Sequence, residues 1–555
     1  MNHQVRQIRK VLLMTVMWLG VALVLGACAG PQPAPTAAPP PAATSAPAQP
    51  QATTAPAQPT TASQPTAKSG GTLRVGLDVD AGTGDPRLAR DTSAFRLKEL
   101  VFNGLVYVKP DYTPAPQLAE SWENPDPQTW IFKLRKGVKF HNGQELKAED
   151  VKYTFDTELD EKFAAPNRSF YTPIKKVDVV DDYTVKFTLD SAYGPFLTYM
   201  DLAILPKAVA EKQGDQFGNS PVGTGPFKFV SWKRGDTIEL EAFNDYFEGR
   251  PKLDKVLLKI VPDNSARVVA LESGDLDLVL SPLSPQDVTR MQGKAGFKVN
   301  RMPAAGYTYI SLNTADPALS DVKVRQALSY LVNREQILSS IYKGIGQVAK
   351  GPIPPGMWAY SADLPSYDYD PTKAKSLLDD AGWKAGADGM RSKDGKPLKL
   401  TLRTHTEDPD RRQVIEVLQA EFTKAGIQAD TNVIDFATML NDMTAGKYQV
   451  AVIGWLNLAN PDRAMFRQFT IGGAGNYGKY NNPDVDKLIK DARTTLDQAK
   501  AKDLYQTATR QIVQDAPYIF LQYQEYITIH KANLNGFVMN PVQYFYSLKD
   551  VSLGQ

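Results

Sequence analysis

Few side chains of this sequence have the type and spacing to do chemistry. A single Cys, Cys28, rules out a disulfide framework, a Cys-rich zinc site and a Cys-x-x-Cys redox pair. Of four His, His3 lies at the very start, and His141, His405 and His530 are spread without metal-ligand spacing, so each is expected to be structural. Neither a G-x-S-x-G elbow nor an H-E-x-x-H pair occurs. Gly389 to Lys396 misses a phosphate loop, with five residues between its glycines and Pro397 where Ser or Thr is needed. Gly344-Ile345-Gly346 follows a helical pattern, and GTGP (223–226) puts Pro where a phosphate loop needs a backbone donor, so both read as turns. Carboxylates are plentiful, which leaves a secreted two-carboxylate glycoside hydrolase as the rival among enzymes. No catalytic residue, metal or cofactor is assigned.

The 555 residues are 42% hydrophobic, 10% aromatic and 22% charged, enough chain for several domains with sizeable cores. Arg6, Arg9, Lys10 and Lys68 are the only charges before residue 70, which leaves 59 basic against 61 acidic residues beyond it. That balance shows no nucleic-acid footprint. Residues 1–27 have the layout of a secretory signal: three basic residues, then seventeen apolar ones from Val11, too short for a permanent span. The signal ends in Leu25-Gly26-Ala27-Cys28, which resembles the bacterial lipobox, so Cys28 is the expected lipidation site. Diacylglycerol plus an N-acyl chain gives more than one hydrocarbon anchor and would hold the mature protein on the extracytoplasmic face of the cell membrane. Residues 31–69 contain 11 Pro in 39 with only one charge and cannot bury a core, so 28–69 reads as a lipid-anchored tether. At up to ~3.1 Å per residue it would reach as far as ~100 Å.

From Gly70 the pattern turns globular. TWIFKLR (129–135) places Trp130, Phe132 and Leu134 on one face at period two. Residues 257–280 read as strand, a helix capped near Asp263 or Asn264 and stopped at Gly274, then strand, a βαβ unit. Val324, Ala327, Leu328, Leu331 and Val332 form the stripe of one amphipathic helix ending at Gly344. Between 398 and 455, strand, helix, strand, helix and strand follow in turn, and two consecutive crossovers imply a parallel sheet. In an open α/β sheet the ligand lies beyond the carboxyl ends of the strands, which favours the positions just after Arg403 and after Trp455. PAAGYTYISLNT (303–314) reads as linking sequence between two lobes with a cleft between them.

Several blocks then resemble one family. QLAESWENPDPQTWIFKLRKGVKFHNGQELKAEDVKYTFD (117–156) is similar to the signature of the family 5 extracellular solute-binding proteins, the dipeptide and oligopeptide receptors of ABC importers. PVGTGPFKFVSW, VALESGDLDLV, VRQALSYLVNREQI, KAGI and YNNPDVDKLIKDA match further landmarks in order, from about 70 to 550. The resemblance implies an α/β fold, a two-lobed periplasmic-binding-protein clamshell with an additional small α+β domain inserted in the first lobe. The first lobe would be 70–305 with the insertion at about 112–210, the second 306–530, and 531–555 would return to the first. It implies a monomeric receptor, not an enzyme, that passes a small-molecule or peptide solute to the permease and ATPase subunits of an importer.

Peptide-binding members resemble G-W-x-x-D-Y-x-[DE]-P after a core strand, where the first acid pairs with the peptide ammonium. Here Gly454-Trp455-Leu456-Asn457-Leu458-Ala459-Asn460-Pro461-Asp462 is one residue shorter, and Asn457 or Leu458 replaces that acid. The expectation is a peptide or peptide-like solute if another acid such as Asp462 substitutes. The alternative is a neutral oligosaccharide or other polar solute. Trp455, Tyr307, Tyr309 and Tyr477 would offer flat apolar faces, Asn457, Asn460 and Asn476 amide hydrogen bonds, and Arg403 a partner for an anionic end.

Overall fold

A computed structural model describes residues 70–554; the signal, Cys28 and the Pro-rich stretch lie outside the described residues. The strands that matter are β1 (Thr72–Leu77), β2 (Ala119–Asp126), β3 (Thr129–Leu134), β4 (Ile174–Asp181), β5 (Thr184–Leu189), β6 (Phe227–Lys233), β7 (Thr237–Ala242), β8 (Lys255–Ile260), β9 (Leu278–Leu280), β10 (Phe297–Leu312), β11 (Lys399–His405), β12 (Gln428–Ile434), β13 (Val450–Trp455) and β14 (Tyr518–Lys531). One large sheet runs in the order β12-β11-β13-β10-β14-β9-β1-β8-β7-β6. At one end β11 is parallel to both β12 and β13, as the double crossover requires. At the other, β1 is parallel to both β8 and β9, which makes 257–280 a βαβ unit. Its helix, Asn264–Ser273, is capped by the Asp263 carboxylate accepting the Ala266 N–H and stops at Gly274 with φ 90°.

The parallel groups are joined by two long antiparallel strands, β10 and β14, paired from Phe297–Lys531 to Ser311–Tyr518. Residues 303–312, expected as a linking segment, are therefore strand. A run of aromatic and β-branched residues satisfies its backbone on both neighbours, with register shifts against β14 between Pro303 and Tyr307 and between Thr308 and Tyr309. Separate buried cores flank this crossing. One gathers Leu73, Val75, Leu97, Leu258 and Leu280, and another gathers Ile310, Leu328, Leu402, Leu418 and Val452. The long helix expected up to Gly344 is two, Val322–Tyr330 and Arg334–Ser340. Asn333 accepts the Gln336 N–H and starts the second, while the Arg334 guanidinium takes up the Ser329 carbonyl at the end of the first.

A four-stranded antiparallel sheet, β2-β3-β5-β4, stands apart with the helix Ala148–Leu159 on its face. Trp130, Phe132 and Leu134 enter its core together, and Phe132 meets Phe187 edge-on at 5.5 Å. This is the small α+β insertion of a two-lobed clamshell. His141 seals it to the GTGP turn: its Nε2–H donates to the Gly225 carbonyl at 2.9 Å, Nδ1 accepts from Gly223 N–H at 3.3 Å, and burial pushes its pKa down to about 4.

Candidate functional site

Both ends of the large sheet turn the carboxyl ends of their strands toward one cavity of about 330 Å³. From the β1 side come Asp78, the buried Arg96 of the helix Thr92–Val101, and Pro282 and Leu283 after β9. From the other come Leu456 after β13, and Asp408, Asp410 and Arg411 where β11 passes into the helix Pro409–Lys424. The crossing strands supply Ala304, Thr308, Gln522, Gln524 and Glu525 as its floor. A larger cavity of about 480 Å³, around Arg334 and Tyr367, is lined by residues within 329–369 and 513–520 and takes nothing from the β1 end of the sheet. Chain geometry opens the cleft at its centre. Gly306 lets the segment after β13 cross the long strand, since a Cβ there would lie 2.4 Å from the Trp455 carbonyl oxygen, and Leu458 N–H then donates to the Ala305 carbonyl at 2.9 Å.

Most charges of the cavity are committed. Arg411 meets Asp408 at 3.1 Å and donates to His405 Nε2 at 3.0 Å, and Asp408 caps the helix by accepting the Arg411 N–H. His405 donates from Nδ1 to Glu407, and burial together with Arg411 lowers its pKa. Glu525 pairs with Arg301 at 2.5 Å. Arg96 donates to Gln543 Oε1 at 2.6 Å and lies 3.8 Å from Asp78. Asp410 has no hydrogen bond and no ion pair among the described residues; burial first, and Asp408 second, raise its pKa. The Tyr342 hydroxyl, which also faces this cavity, is buried without a partner.

The residues expected from sequence separate into different surroundings. Trp455 ends β13 and stacks on Tyr477, planes parallel and centroids 5.8 Å apart, with its Nε1–H buried and unpaired. Asn457, at φ 56°, turns away from the large cavity into a small one of about 30 Å³ beside Lys98, Asp201, Arg463 and Tyr544. Asn460 caps the helix Pro461–Phe469, accepting Arg463 N–H at 2.8 Å, and donates to Thr198 Oγ1 at 2.8 Å. Asp462 is 2% exposed; it accepts from the Tyr199 hydroxyl at 3.0 Å, lies 3.5 Å from Arg493 Nε, and is raised in pKa by burial against the pull of Arg493. It does not face the cleft as a substitute acid. Asn476 spends its amide on the Thr470 and Tyr480 carbonyls and the Tyr480 N–H. Tyr307 and Tyr309 are fully buried, the first donating to Gln468 and the second stacked on Tyr518 at 4.2 Å. Arg403 pairs with Asp442 at 2.8 Å and lies beside Ala451, two residues short of the strand end and away from the cleft. The strand runs on to His405, so the cleft belongs to 408–411. Reading on from the strand end would have found Asp408, Asp410 and Arg411; Arg96, Tyr342, Gln522 and Gln543 carry no local signal.

Among the described residues no helix is long and apolar enough to cross a membrane, and no group of three or more His, Cys, Asp or Glu is placed to hold a metal ion. Comparison with known proteins matches residues 113–477 to the family model described as bacterial extracellular solute-binding proteins, family 5 Middle. The oligopeptide-binding protein AppA of Bacillus subtilis is 33% identical, over 87% of this chain and 92% of that one. The dipeptide-binding protein of Escherichia coli is 32% identical, over 80% and 87%. The solved structure of the B. subtilis protein in complex with a nonapeptide superposes with a TM-score of 0.78 at 31% identity, covering 88% of this chain and all of the other. NikZ from Campylobacter jejuni, in complex with Ni(L-His), superposes at 0.77 with 27% identity, over 87% and 99%. On cleft, sheet and sequence together, the chain belongs to the family 5 bacterial extracellular solute-binding proteins.

Proposed function

We propose that this protein is the receptor of an ABC importer, capturing a peptide or peptide-like solute in the 330 Å³ cleft and presenting it to the permease without altering it. The observation that carries this reading is the cleft itself. Its walls come from the two ends of the sheet and its floor from the strands that join them, so a solute touching both walls stabilises the closed form. The relatives named for oligopeptides and dipeptides supply the solute class. The first lobe is taken as 70–305 with 531–555, the second as 306–530, and the insertion as about 112–210; the register shift at Pro303–Tyr307 supports a boundary there. The receptor acts as a monomer, tethered through lipid on Cys28 to the extracytoplasmic face of the membrane.

Mass spectrometry of the small molecules released on denaturing the purified protein tests the solute class: peptides are expected, and a carbohydrate would overturn the reading. Turnover of an oligosaccharide panel, abolished by changing one carboxylate, would make the protein an enzyme instead. For the anchor, Cys28→Ser should move the protein from the membrane to the soluble fraction; a variant that stays membrane-bound beside a wild type that incorporates no fatty acid refutes it.

A further inference from the structure

The cleft is asymmetric in charge, and the asymmetry points to one residue. We propose that Asp410 is the specificity-determining carboxylate of the cleft and receives a cationic group of the solute, with the Tyr342 hydroxyl as a neutral hydrogen-bond partner beside it. This rests on the reading that the solute binds in this cleft. The segment Leu456-Asn457-Leu458-Ala459 brings no acid to the cavity, Asn457 faces elsewhere, and Asp462 is held by Tyr199 and Arg493. Four carboxylates line the cavity, and three are already served: Asp408 by Arg411, Glu525 by Arg301, and Asp78 by the nearby Arg96. Asp410 alone has no partner among the described residues. Arg411, the nearest cation on its helix, forms its ion pair with Asp408 and donates to His405, so it offsets the Asp410 charge only in part and from a distance, without a hydrogen bond or ion pair to it.

A half-buried carboxylate without a counter-charge carries a desolvation cost that an incoming ammonium or guanidinium offsets. The buried Tyr342 hydroxyl makes no hydrogen bond of good geometry and has only the Thr308 hydroxyl near it; it sits in the field of Arg411, Asp408 and Asp410 and faces the same cavity, which leaves it free to turn to a solute. An anionic group is poorly served there, because Asp410 would repel it. A divalent metal is poorly served too, since no third ligand of suitable type stands with the two carboxylates. Leu456, 46% exposed, with Leu283 and Ile527, leaves an apolar wall for the body of the solute.

The test is equilibrium dialysis of the full chain against an equimolar mixture of trialanine, its desamino analogue with hydrogen in place of the ammonium, spermidine and maltotriose, read by mass spectrometry. Trialanine should be retained at least about tenfold over the desamino analogue, a preference that Asp410→Asn removes and Asp410→Glu keeps. Tyr342→Phe should weaken retention several-fold and leave the preference in place. Circular dichroism of each variant reports whether it is folded. Equal retention of trialanine and its desamino analogue, or a preference that survives Asp410→Asn, overturns the role of Asp410 while the peptide reading stands. Spermidine retained without peptide, and lost in Asp410→Asn, overturns the peptide reading and keeps Asp410. Retention of maltotriose alone, or of nothing, overturns both.

Discussion

Asp410 and Asp462 occupy the same position in two copies of one local arrangement. Each is the second residue of a helix that follows a core strand, behind a capping Asp408 or Asn460 and a Pro at the first helical position. Their surroundings give them opposite roles. Asp462 is enclosed and accepts from Tyr199, so it is already spent, whereas Asp410 faces the cleft without a hydrogen bond or ion pair among the described residues. Arg403 resembles Asp462 in this respect, since its charge is taken by Asp442 and the Lys447 carbonyl. Arg403→Ala is therefore expected to leave solute affinity within about twofold while lowering stability by about 1 kcal/mol, as loss of a partly buried charged hydrogen bond would. A titration showing a tenfold loss of affinity would return Arg403 to the site. Trp455 is different again. It packs on Tyr477 and on the core beneath, so Trp455→Ala should lower the stability measured in urea by about 2 kcal/mol or more, besides any effect on binding. Unfolding indistinguishable from wild type would mean the indole serves the ligand alone.

At the scale of elements, the inserted α+β domain carries a titratable group that its sequence pattern hides. Glu158 stands on the buried face of the helix Ala148–Leu159, fully enclosed, with neither carboxylate oxygen hydrogen-bonded among the described residues. Burial raises its pKa from 4.5 to about 8. Its folded pKa exceeds its unfolded one, so the folded state binds the extra proton between pH 4.5 and about 8, and stability must fall as pH rises through that window. The loss should be on the order of 2–4 kcal/mol between pH 5 and pH 8.5. Glu158→Gln should flatten this dependence and be the more stable protein at pH 8.5; parallel profiles for wild type and variant would show that another group is responsible. Periodicity made the elements themselves legible. The alternation at Trp130, the caps at Asp263 and Gly274 and the double crossover at 398–455 appear where the pattern puts them, because each rests on local chemistry. The continuous strand through 303–312 was not legible, because it depends on β14, far away in sequence; the break at Asn333 rests on a local cap, which the apolar stripe running on through Val332 masks. The site was legible only as a place, the ends of the parallel strands. Which side chains fill it depends on Gln522, Gln543 and Tyr342 arriving from elements whose own patterns say nothing of a ligand.

For the whole molecule the question is what joins its two ends across the cleft. Besides the crossing strands, residues 193–199, packed with the insertion, meet the helices Pro461–Phe469 and Pro483–Arg493. Tyr199 donates to Asp462, Asn460 to Thr198, Arg493 to Tyr193, and Gly194 N–H to the Arg493 carbonyl at 2.8 Å. The approach is close: a Cβ on Gly194 would lie 2.4 Å from the Thr495 carbonyl oxygen. None of these groups lines the large cavity, yet all join parts that a hinge at 303–307 would separate. A hydrogen bond to a buried carboxylate contributes about 1.5–3 kcal/mol. If the Tyr199–Asp462 bond forms only on closure, Tyr199→Phe shifts the balance of open and closed forms by about tenfold to a hundredfold, and the apparent dissociation constant rises by up to that factor without any solute contact being touched. Small-angle scattering should then show a more extended solute-free variant that regains the wild-type dimensions when saturated with solute. The reasoning separates closure from recognition, because Asp410→Asn should alter which solute is held and leave the solute-free dimensions unchanged, whereas Tyr199→Phe should weaken all solutes alike. Unchanged scattering together with unchanged affinity in Tyr199→Phe would mean that residues 193–199 travel with the second lobe, and that closure depends on the solute and the crossing strands alone.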